Sequence, residues 1–325
     1  MKHSYVDWIG NDYTDNAAAV ARDVAIAAVS GWPLDIPPGV YRSSQPFSFG
    51  RRGIRVAGHG RVVLKYIGSA PYCLTVDNGP ESFGYDVRIE NLTIEGSGAQ
   101  AQSGFYQRNF VHGSYADIRV RNVTGAAFEL NGDVCSEYAR CVSSINEGDM
   151  LYTPSVGILA RGSDICSDTT ACTFSMPIIE GMRDIGLDAV RMANCTILGG
   201  TFEGGRGLGL RLGVGAVENT MHNLSCEANA LGDALILGRM NELRGGYYSS
   251  RAASNPYESV NSIVVGDGAT LNKINKVRAY TIRVVESSKG TEISGCDVLY
   301  RIIDDASRAT LKGPMRQLYY SGDPT

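Results

Sequence analysis

The sequence predicts an all-β fold, a right-handed parallel β-helix closed at one end by an N-terminal capping helix. Three observations predict it. Glycine makes up 39 of the 325 residues, well above the roughly 7% of an average protein, which indicates many tight turns between short strands. A short motif recurs about every 23 residues, as it does in stacked-repeat proteins. A convincing helical period is confined to residues 16–30.

The helix comes first in the chain. Asp15 or Asn16 can cap its start, and Gly31 followed by Pro33 ends it. The apolar positions that recur at helical spacing are Ala17, Val20, Ala21, Val24 and Ala28. We expect residues 1–46 to form a cap, made of this helix and the first strands, over the open end of the stacked strands.

The repeat is anchored by an apolar residue, an acid and a small residue in succession. Clear anchors are Ile94-Glu95-Gly96, Ile179-Glu180-Gly181, Phe202-Glu203-Gly204 and Cys226-Glu227-Ala228, and looser ones are Val123-Thr124-Gly125 and Asn146-Glu147-Gly148. Their central positions lie 29, 23, 33, 23 and 24 residues apart. Alternating apolar residues follow, most clearly Leu208, Leu210 and Leu212. Each repeat therefore holds two or three short strands.

A repeat of this kind cannot bury an apolar face alone and must stack on its neighbours. The leucine-rich pattern L-x-x-L-x-L is absent, and propeller blades need about 40 residues. A parallel β-helix remains. We expect its coils over residues 47–312, followed by a tail at 313–325.

Composition limits the function. A net charge of -4 argues against a broad nucleic-acid surface. No apolar run approaches the roughly 18 residues of a membrane span. Met1 to Tyr13 carry no apolar signal segment, so we expect synthesis in the cytoplasm.

The eight cysteines lack zinc-site spacing and are expected to face inward as small apolar residues. No helix pattern follows Gly204-Gly205-Arg206-Gly207, so these residues are not expected to bind phosphate. No metal or other cofactor is expected either.

The opening of the chain resembles a known superfamily. The segments that carry the resemblance are Leu34-Asp35-Ile36-Pro37-Pro38-Gly39-Val40-Tyr41 and Ile54-Arg55-Val56-Ala57-Gly58-His59-Gly60, which follow the capping helix. They are similar to the start of pectate-lyase-like β-helix proteins, above all bacteriophage tailspikes. The resemblance implies a bacterial surface polysaccharide as ligand, a homotrimer that can contact other phage tail proteins, and a place in the virion tail or, after release, outside the cell.

The acidic anchors are the candidate catalytic residues. Equivalent positions of successive coils lie about 4.8 Å apart, so Glu180 and Glu203 are expected to be neighbours. Glycoside hydrolysis uses two carboxyl groups about 5–5.5 Å apart for retention or about 6.5–9.5 Å apart for inversion. Asp184 and Asp149 are added because chemistry occurs once whereas architecture repeats, and Glu147 is added as the looser anchor at the start of the same acid-rich stretch. The same glutamates could instead accept turn N–H groups and be purely structural.

Aromatic and arginine side chains are the candidate substrate contacts. Aromatic rings offer apolar platforms to sugars, and guanidinium groups bind carboxylates in a bidentate manner. The residues chosen, from two expected long loops and the turns after the acids, are Tyr106, His112, Tyr115, Tyr247, Tyr248, Arg183 and Arg206. Packing within loops would explain the aromatic residues equally well.

Four functions remain open at this stage. Carboxylate-based hydrolysis of a bacterial surface glycan is favoured. A polysaccharide lyase, a receptor-binding fibre without turnover and a structural β-helix are the alternatives.

Overall fold

The computed structural model describes residues 6–145, 151–250, 261–305, 309–313 and 316–317. Two of the predicted catalytic acids, Glu147 and Asp149, lie outside these ranges. Within them the chain forms one α-helix and 35 β-strands, and all the strand pairings are parallel, from each coil to the next. The predicted parallel β-helix with a single helix is therefore confirmed.

The coils have three faces. The first face holds β2 Leu34–Ile36, β5 Arg55–Gly58, β14 Glu137–Ala139, β18 Thr173–Ser175, β21 Thr196–Leu198, β24 Thr220–His222, β27 Glu242–Arg244, β30 Lys273–Asn275, β32 Glu292–Ser294 and β34 Thr310–Lys312. The second face holds β1 Asn11–Asp15, β3 Gly39–Ser43, β6 Val62–Tyr66, β15 Val142–Ser144, β19 Ile178–Glu180, β22 Thr201–Glu203, β25 Ser225–Glu227, β28 Tyr247–Tyr248 and β35 Arg316–Gln317.

The third face is built from longer strands. It holds β4 Phe47–Ser48, β7 Tyr72–Asp77, β10 Ser103–Arg108, β13 Ala126–Asn131, β16 Val156–Arg161, β20 Ile185–Ala193, β23 Leu208–Val217, β26 Gly232–Ile236 and β29 Ile263–Val265. Four strands belong to two faces each: β9 Arg88–Glu95 and β12 Ser114–Arg121 join the first and second faces, and β31 Arg278–Val284 and β33 Asp297–Asp304 join the second and third. Short strands at the remaining corner are β8 Gly84–Tyr85, β11 Phe110–Val111 and β17 Thr169–Thr170.

The helix α1, Ala17–Ser30, lies at the N-terminal end of the coils. The helix start agrees with one of the two predicted caps, because the Asp15 carboxylate accepts the N–H of Ala17 at 3.0 Å. The N-cap residue Asn16 makes no capping bond, and its amide oxygen accepts the N–H of Ile9. The buried stripe is Val20, Val24 and Ala27. The predicted stripe was therefore wrong at Ala21 and Ala28, which are exposed. No helix in the described ranges is long and apolar enough to cross a membrane.

The repeating anchor has a simple structural cause. Its apolar residue points inward, as Ile179, Phe202 and Cys226 do, and all three are fully buried in one stack. The acid points outward because side chains alternate along a strand. The small residue sits at a sharp corner with positive φ, +73° at Gly181 and +63° at Gly204, a conformation that glycine adopts at little cost.

The two looser anchors predicted from the sequence do not coincide with the residues that lie in register with Glu95 and Glu180. The residue in register with Glu95 on the next coil is Arg121, not Thr124. The residue in register with Glu180 on the preceding coil is Ser144, not Glu147.

A column of buried asparagines links the coils at the corner before the first face. The amide oxygen of Asn219 accepts the N–H of Cys195, that of Asn241 accepts the N–H of Asn219, and that of Asn272 accepts the N–H of Asn241, at 2.9–3.1 Å. All three asparagine side chains are fully buried. Each coil therefore satisfies a turn N–H of the coil before it, which a buried backbone requires.

The cysteines match their prediction with exceptions. Cys73, Cys141, Cys172, Cys195, Cys226 and Cys296 are buried. Cys135 is exposed, and Cys166 is partly exposed in a turn, so the inward orientation was wrong for these two.

Candidate functional site

Three glutamates stand in register on the outer surface of the second face. Glu180 on β19 pairs with Glu203 on β22, which pairs with Glu227 on β25. We call these three residues the glutamate ladder. Neighbouring strands lie about 4.8 Å apart, so the predicted proximity of Glu180 and Glu203 is confirmed. This spacing is close to the separation of the two carboxyl groups in retaining glycosidases.

Serine hydroxyls hold the ladder. Ser144 donates to Glu180 from the preceding coil, and Ser225 donates to Glu227 at 3.0 Å. Burial raises the pKa of Glu203 above its ordinary value. The charges of Glu227 and Glu180 raise this pKa further, against a lowering by the Ser225 hydroxyl. The middle carboxyl therefore keeps its proton to a higher pH than an isolated glutamate would, as a general acid requires.

A trough runs beside the ladder along the corner between the first and second faces. It consists of three adjoining cavities of about 440, 760 and 590 Å³. The first two share Arg61 and Arg121, and the second and third share Asp117 and Arg119. The third extends over Ile178 and Thr201, which lie two positions before Glu180 and Glu203 on the same strands. Trough and ladder therefore form one continuous surface.

Cations predominate in this trough, which we call the basic trough. Its charged residues are Arg61, Lys65, Arg119, Arg121, Arg140, Asp12, Glu95 and Asp117. Each of the three acids has a cationic neighbour: Lys65 lies 3.1 Å from Asp12, Arg121 lies 2.5 Å from Glu95 and Arg140 lies 2.6 Å from Asp117.

The turn that follows the ladder carries three other predicted residues. Asp184 and Arg183 follow Glu180, with Arg183 Nε 3.7 Å from the Asp184 carboxylate and both side chains at least half exposed. Arg206 occupies the turn of the next coil, where its N–H bonds to the carbonyl of Met182 at 3.0 Å. The structure therefore brings Glu180, Glu203, Asp184, Arg183 and Arg206 to one region.

Several predicted aromatic contacts lie elsewhere. Tyr115 and Tyr248 are fully buried inside the coils, so their choice as ligand contacts was wrong. The segment around Tyr115 is strand rather than loop, and alternation points this ring inward. Tyr106 is 5% exposed and stacks on Tyr72 at 3.8 Å on the third face. His112 is exposed at another corner, 3.8 Å from Asp86.

Tyr247 does lie on the second face, two coils beyond Glu203. Arg278 of the following coil covers its ring at 5.6 Å. Beyond it, Tyr280 and Tyr300 stack in parallel at 5.6 Å, with Arg301 over Tyr300 at 5.2 Å. These rings form an aromatic end to the face that carries the ladder.

Sequence reasoning missed most of the trough. Arg119 and Arg121 alternate with the buried residues Ile118 and Val120, and this alternation is a readable signal of two outward arginines on one strand. Arg61 lies in a turn, and nothing in the local sequence predicts that it would approach Arg121.

Comparisons with known proteins show the fold. No family model and no curated protein sequence matches the chain. Among solved structures, the A-module of the mannuronan C-5 epimerase AlgE6 from Azotobacter vinelandii matches at 14% identity and a TM-score of 0.59, over 98% of each chain. The surface adhesin PfbA of Streptococcus pneumoniae matches at 14% identity and 0.60, over 98% of this chain and 92% of that one.

A viral protein has the same architecture. ORF18 of Geobacillus virus E2 matches at 13% identity and a TM-score of 0.55, over 94% of this chain and 58% of that one. All three are right-handed parallel β-helices, which confirms the predicted handedness. Identities this low show a shared fold and leave the chemistry to the residues of this chain.

Proposed function

We propose that the protein binds a polysaccharide along the second face and hydrolyses its glycosidic bonds at the glutamate ladder. The single observation that supports this most is the in-register pair Glu180 and Glu203, in which the pKa of Glu203 is raised. Two carboxyl groups at about the strand spacing, one with a raised pKa, are what a retaining glycosidase needs.

Glu203 is the acid in this mechanism. Its carboxyl donates a proton to the glycosidic oxygen as the bond to the leaving sugar breaks, and the Glu180 carboxylate attacks the anomeric carbon. A covalent glycosyl ester forms on Glu180. Glu203, now a carboxylate, then takes a proton from water as the water attacks the same carbon and restores Glu180. Glu227 contributes the negative charge that favours the protonated form of Glu203.

The surroundings supply binding. Arg183, Asp184 and Arg206 are exposed on the turns next to the acids and can bond sugar hydroxyls. Tyr247 and the Tyr280–Tyr300 pair provide rings for sugar packing at the far end. Glu147 and Asp149 keep their place as sequence candidates in a segment that the structure does not describe.

A non-catalytic glycan receptor is the second candidate. The observation that favours it is that serine hydroxyls donate hydrogen bonds to Glu180 and Glu227. Glutamates with a purely structural role would make the same hydrogen bonds. The name of the PfbA match, a surface adhesin, supports the same possibility. A lyase would leave an unsaturated uronate and is distinguished by its absorbance.

The biological setting is proposed from the resemblance and the comparisons. A bacterial surface polysaccharide is the proposed ligand, and action outside the producing cell or in a virion tail is the proposed location. The surface adhesin and the viral protein among the structural matches support this setting.

The experiment that tests the function uses the whole chain and a panel of bacterial surface polysaccharides. New reducing ends with wild type and none with Glu203→Gln support hydrolysis. Absorbance of unsaturated uronates would show a lyase instead. Saturable binding with no product of either kind would show a receptor.

A further inference from the structure

We propose that the polysaccharide is a polyanion, with carboxylate or sulfate groups, and that the basic trough binds these groups on the coils that precede the glutamate ladder. The inference rests on the proposed function for the position of the scissile bond. Binding of a polyanion in the trough can be tested without any cleavage.

Local charge is the first argument. The chain as a whole carries a net charge of -4. The described residues that line the three cavities of the trough include five cations, Arg61, Lys65, Arg119, Arg121 and Arg140, against three acids. The trough is therefore positive by two charges on an acidic protein. Charges in a concave surface concentrate their potential on whatever enters it.

The arrangement of the cations is the second argument. Arg119 and Arg121 project from one strand to the same side, and Arg61 reaches the same cavity from the turn before β6. Guanidinium groups bind planar carboxylates and sulfates through two parallel hydrogen bonds. Arg61 and Arg119 are exposed at the surface of a cavity of about 760 Å³, which has room for sugar units.

The distance to the ladder is the third argument. Arg121 lies in the same column of outward side chains as Glu180 and Glu203, and Ser144 occupies the coil between Arg121 and Glu180. Three strand spacings separate Arg121 from Glu203, or about 14 Å. The trough would therefore hold anionic units that are remote from the bond that breaks. Binding energy from remote units positions the reacting sugar.

The test measures binding to the Glu203→Gln protein, so that the probe is not consumed. The probes are polygalacturonate, alginate and hyaluronan as polyanions and dextran as the neutral control, titrated at low and at moderate salt. We expect at least one polyanion to bind, with a Kd that rises at least tenfold between the two salt concentrations. We expect dextran to bind at least tenfold more weakly.

The trough itself is tested by Arg61→Gln and Arg119→Gln, separately and together. We expect the double variant to raise the Kd of the bound polyanion at least tenfold. The matched control is Arg161→Gln, an exposed arginine on the third face, which should leave the Kd unchanged. Melting temperatures of all variants establish that they fold.

The outcomes separate this inference from the hydrolase proposal. Loss of polyanion binding in the trough variants supports the inference even if no glycan is cleaved, and the hydrolase proposal then fails alone. Equal binding of dextran, no binding of any polyanion, or trough variants that behave like Arg161→Gln would overturn the inference. Cleavage of a neutral polymer alone would overturn it while the hydrolase proposal stands.

Discussion

Glu203 lies in register with Glu180 on the preceding coil, so that two outward carboxyl groups are held one strand spacing apart by parallel backbone pairing. This spacing is a property of the fold rather than of side-chain packing. A substitution that alters only the charge of either residue therefore leaves the geometry intact and isolates the chemistry.

Glu203→Gln should lower the rate of glycan hydrolysis about 10²–10⁴-fold, because it removes the proton donor. Its melting temperature should be equal to or above that of wild type, since one repulsive charge is gone. Rates and thermal unfolding are measured together, with Glu137→Gln on the first face as the matched control. Full activity in a protein destabilised by about 1–3 kcal/mol would show instead that the ladder is structural.

Activity should fall as pH rises through the pKa of Glu203, because the acid must be protonated. Glu227→Gln removes one of the charges that raise this pKa. The falling limb of the pH–rate profile should therefore move to lower pH in this variant, with the rate at low pH preserved. If the falling limb of the pH–rate profile were unchanged in Glu227→Gln, a group other than Glu203 would determine the pH at which activity falls.

Asp133 makes stability depend on pH. It is fully buried, its carboxylate accepts bonds from Ser136 and Tyr138 at 2.6 Å, and burial raises its pKa to about 6 from 3.8. A carboxyl group whose pKa is higher in the folded than in the unfolded state stabilises the folded state most at pH values below its pKa in the unfolded state. This contribution, about 3 kcal/mol in all, is lost as pH rises from below about 4 to above about 6.

Asp133→Asn lacks this titration. The difference in unfolding free energy between variant and wild type should therefore shift by about 2 kcal/mol in favour of the variant between pH 4 and pH 8. Chemical denaturation at the two pH values measures it, with the exposed Asp164→Asn as the matched control. A pH-independent difference would contradict the raised pKa.

Asn241→Ala should destabilise the protein by about 1–3 kcal/mol, because it leaves the buried N–H of Asn219 without its acceptor. Asn275→Ala, on the outer side of the first face, is the control and should change the unfolding free energy by less than about 0.5 kcal/mol. Equal changes in unfolding free energy for the two substitutions would show that the asparagine column does not stabilise the protein more than an exposed asparagine does.

The predicted homotrimer is open to a direct measurement. Several apolar side chains are largely exposed, among them Val214 at 79% and Leu231 at 68%, and association would cover such surface. Light scattering should give three times the chain mass of 34.8 kDa. A mass near that of one chain at micromolar concentration would contradict the trimer.

The sequence predicted the fold and the ladder because both follow from strand alternation. In Ile179-Glu180-Gly181 the inward residue, the outward acid and the corner are adjacent in the chain, so their roles can be read locally. The same logic fails at Arg121, where asparagine rather than glycine occupies the corner with positive φ and the anchor loses its signature.

The aromatic contacts were predicted less well for a related reason. Phe105 and Tyr106 are adjacent, so one ring must face inward, and composition does not say which. Phe105 lies in the core, with Tyr115 5.0 Å away, whereas Tyr106 packs outside on Tyr72. The trough could not be predicted because Arg61 and Arg121 are 60 residues apart and meet only through the stacking of β6, β9 and β12.

The asparagine column gives the molecule a polarity along its axis. Each amide in it accepts an N–H from the coil before it in the chain, so a chain that ended before residue 241 would leave the N–H of Asn219 without its acceptor. Removal of a coil from the C-terminal side would therefore expose a buried N–H of the coil before it, so the two ends of the column are not equivalent.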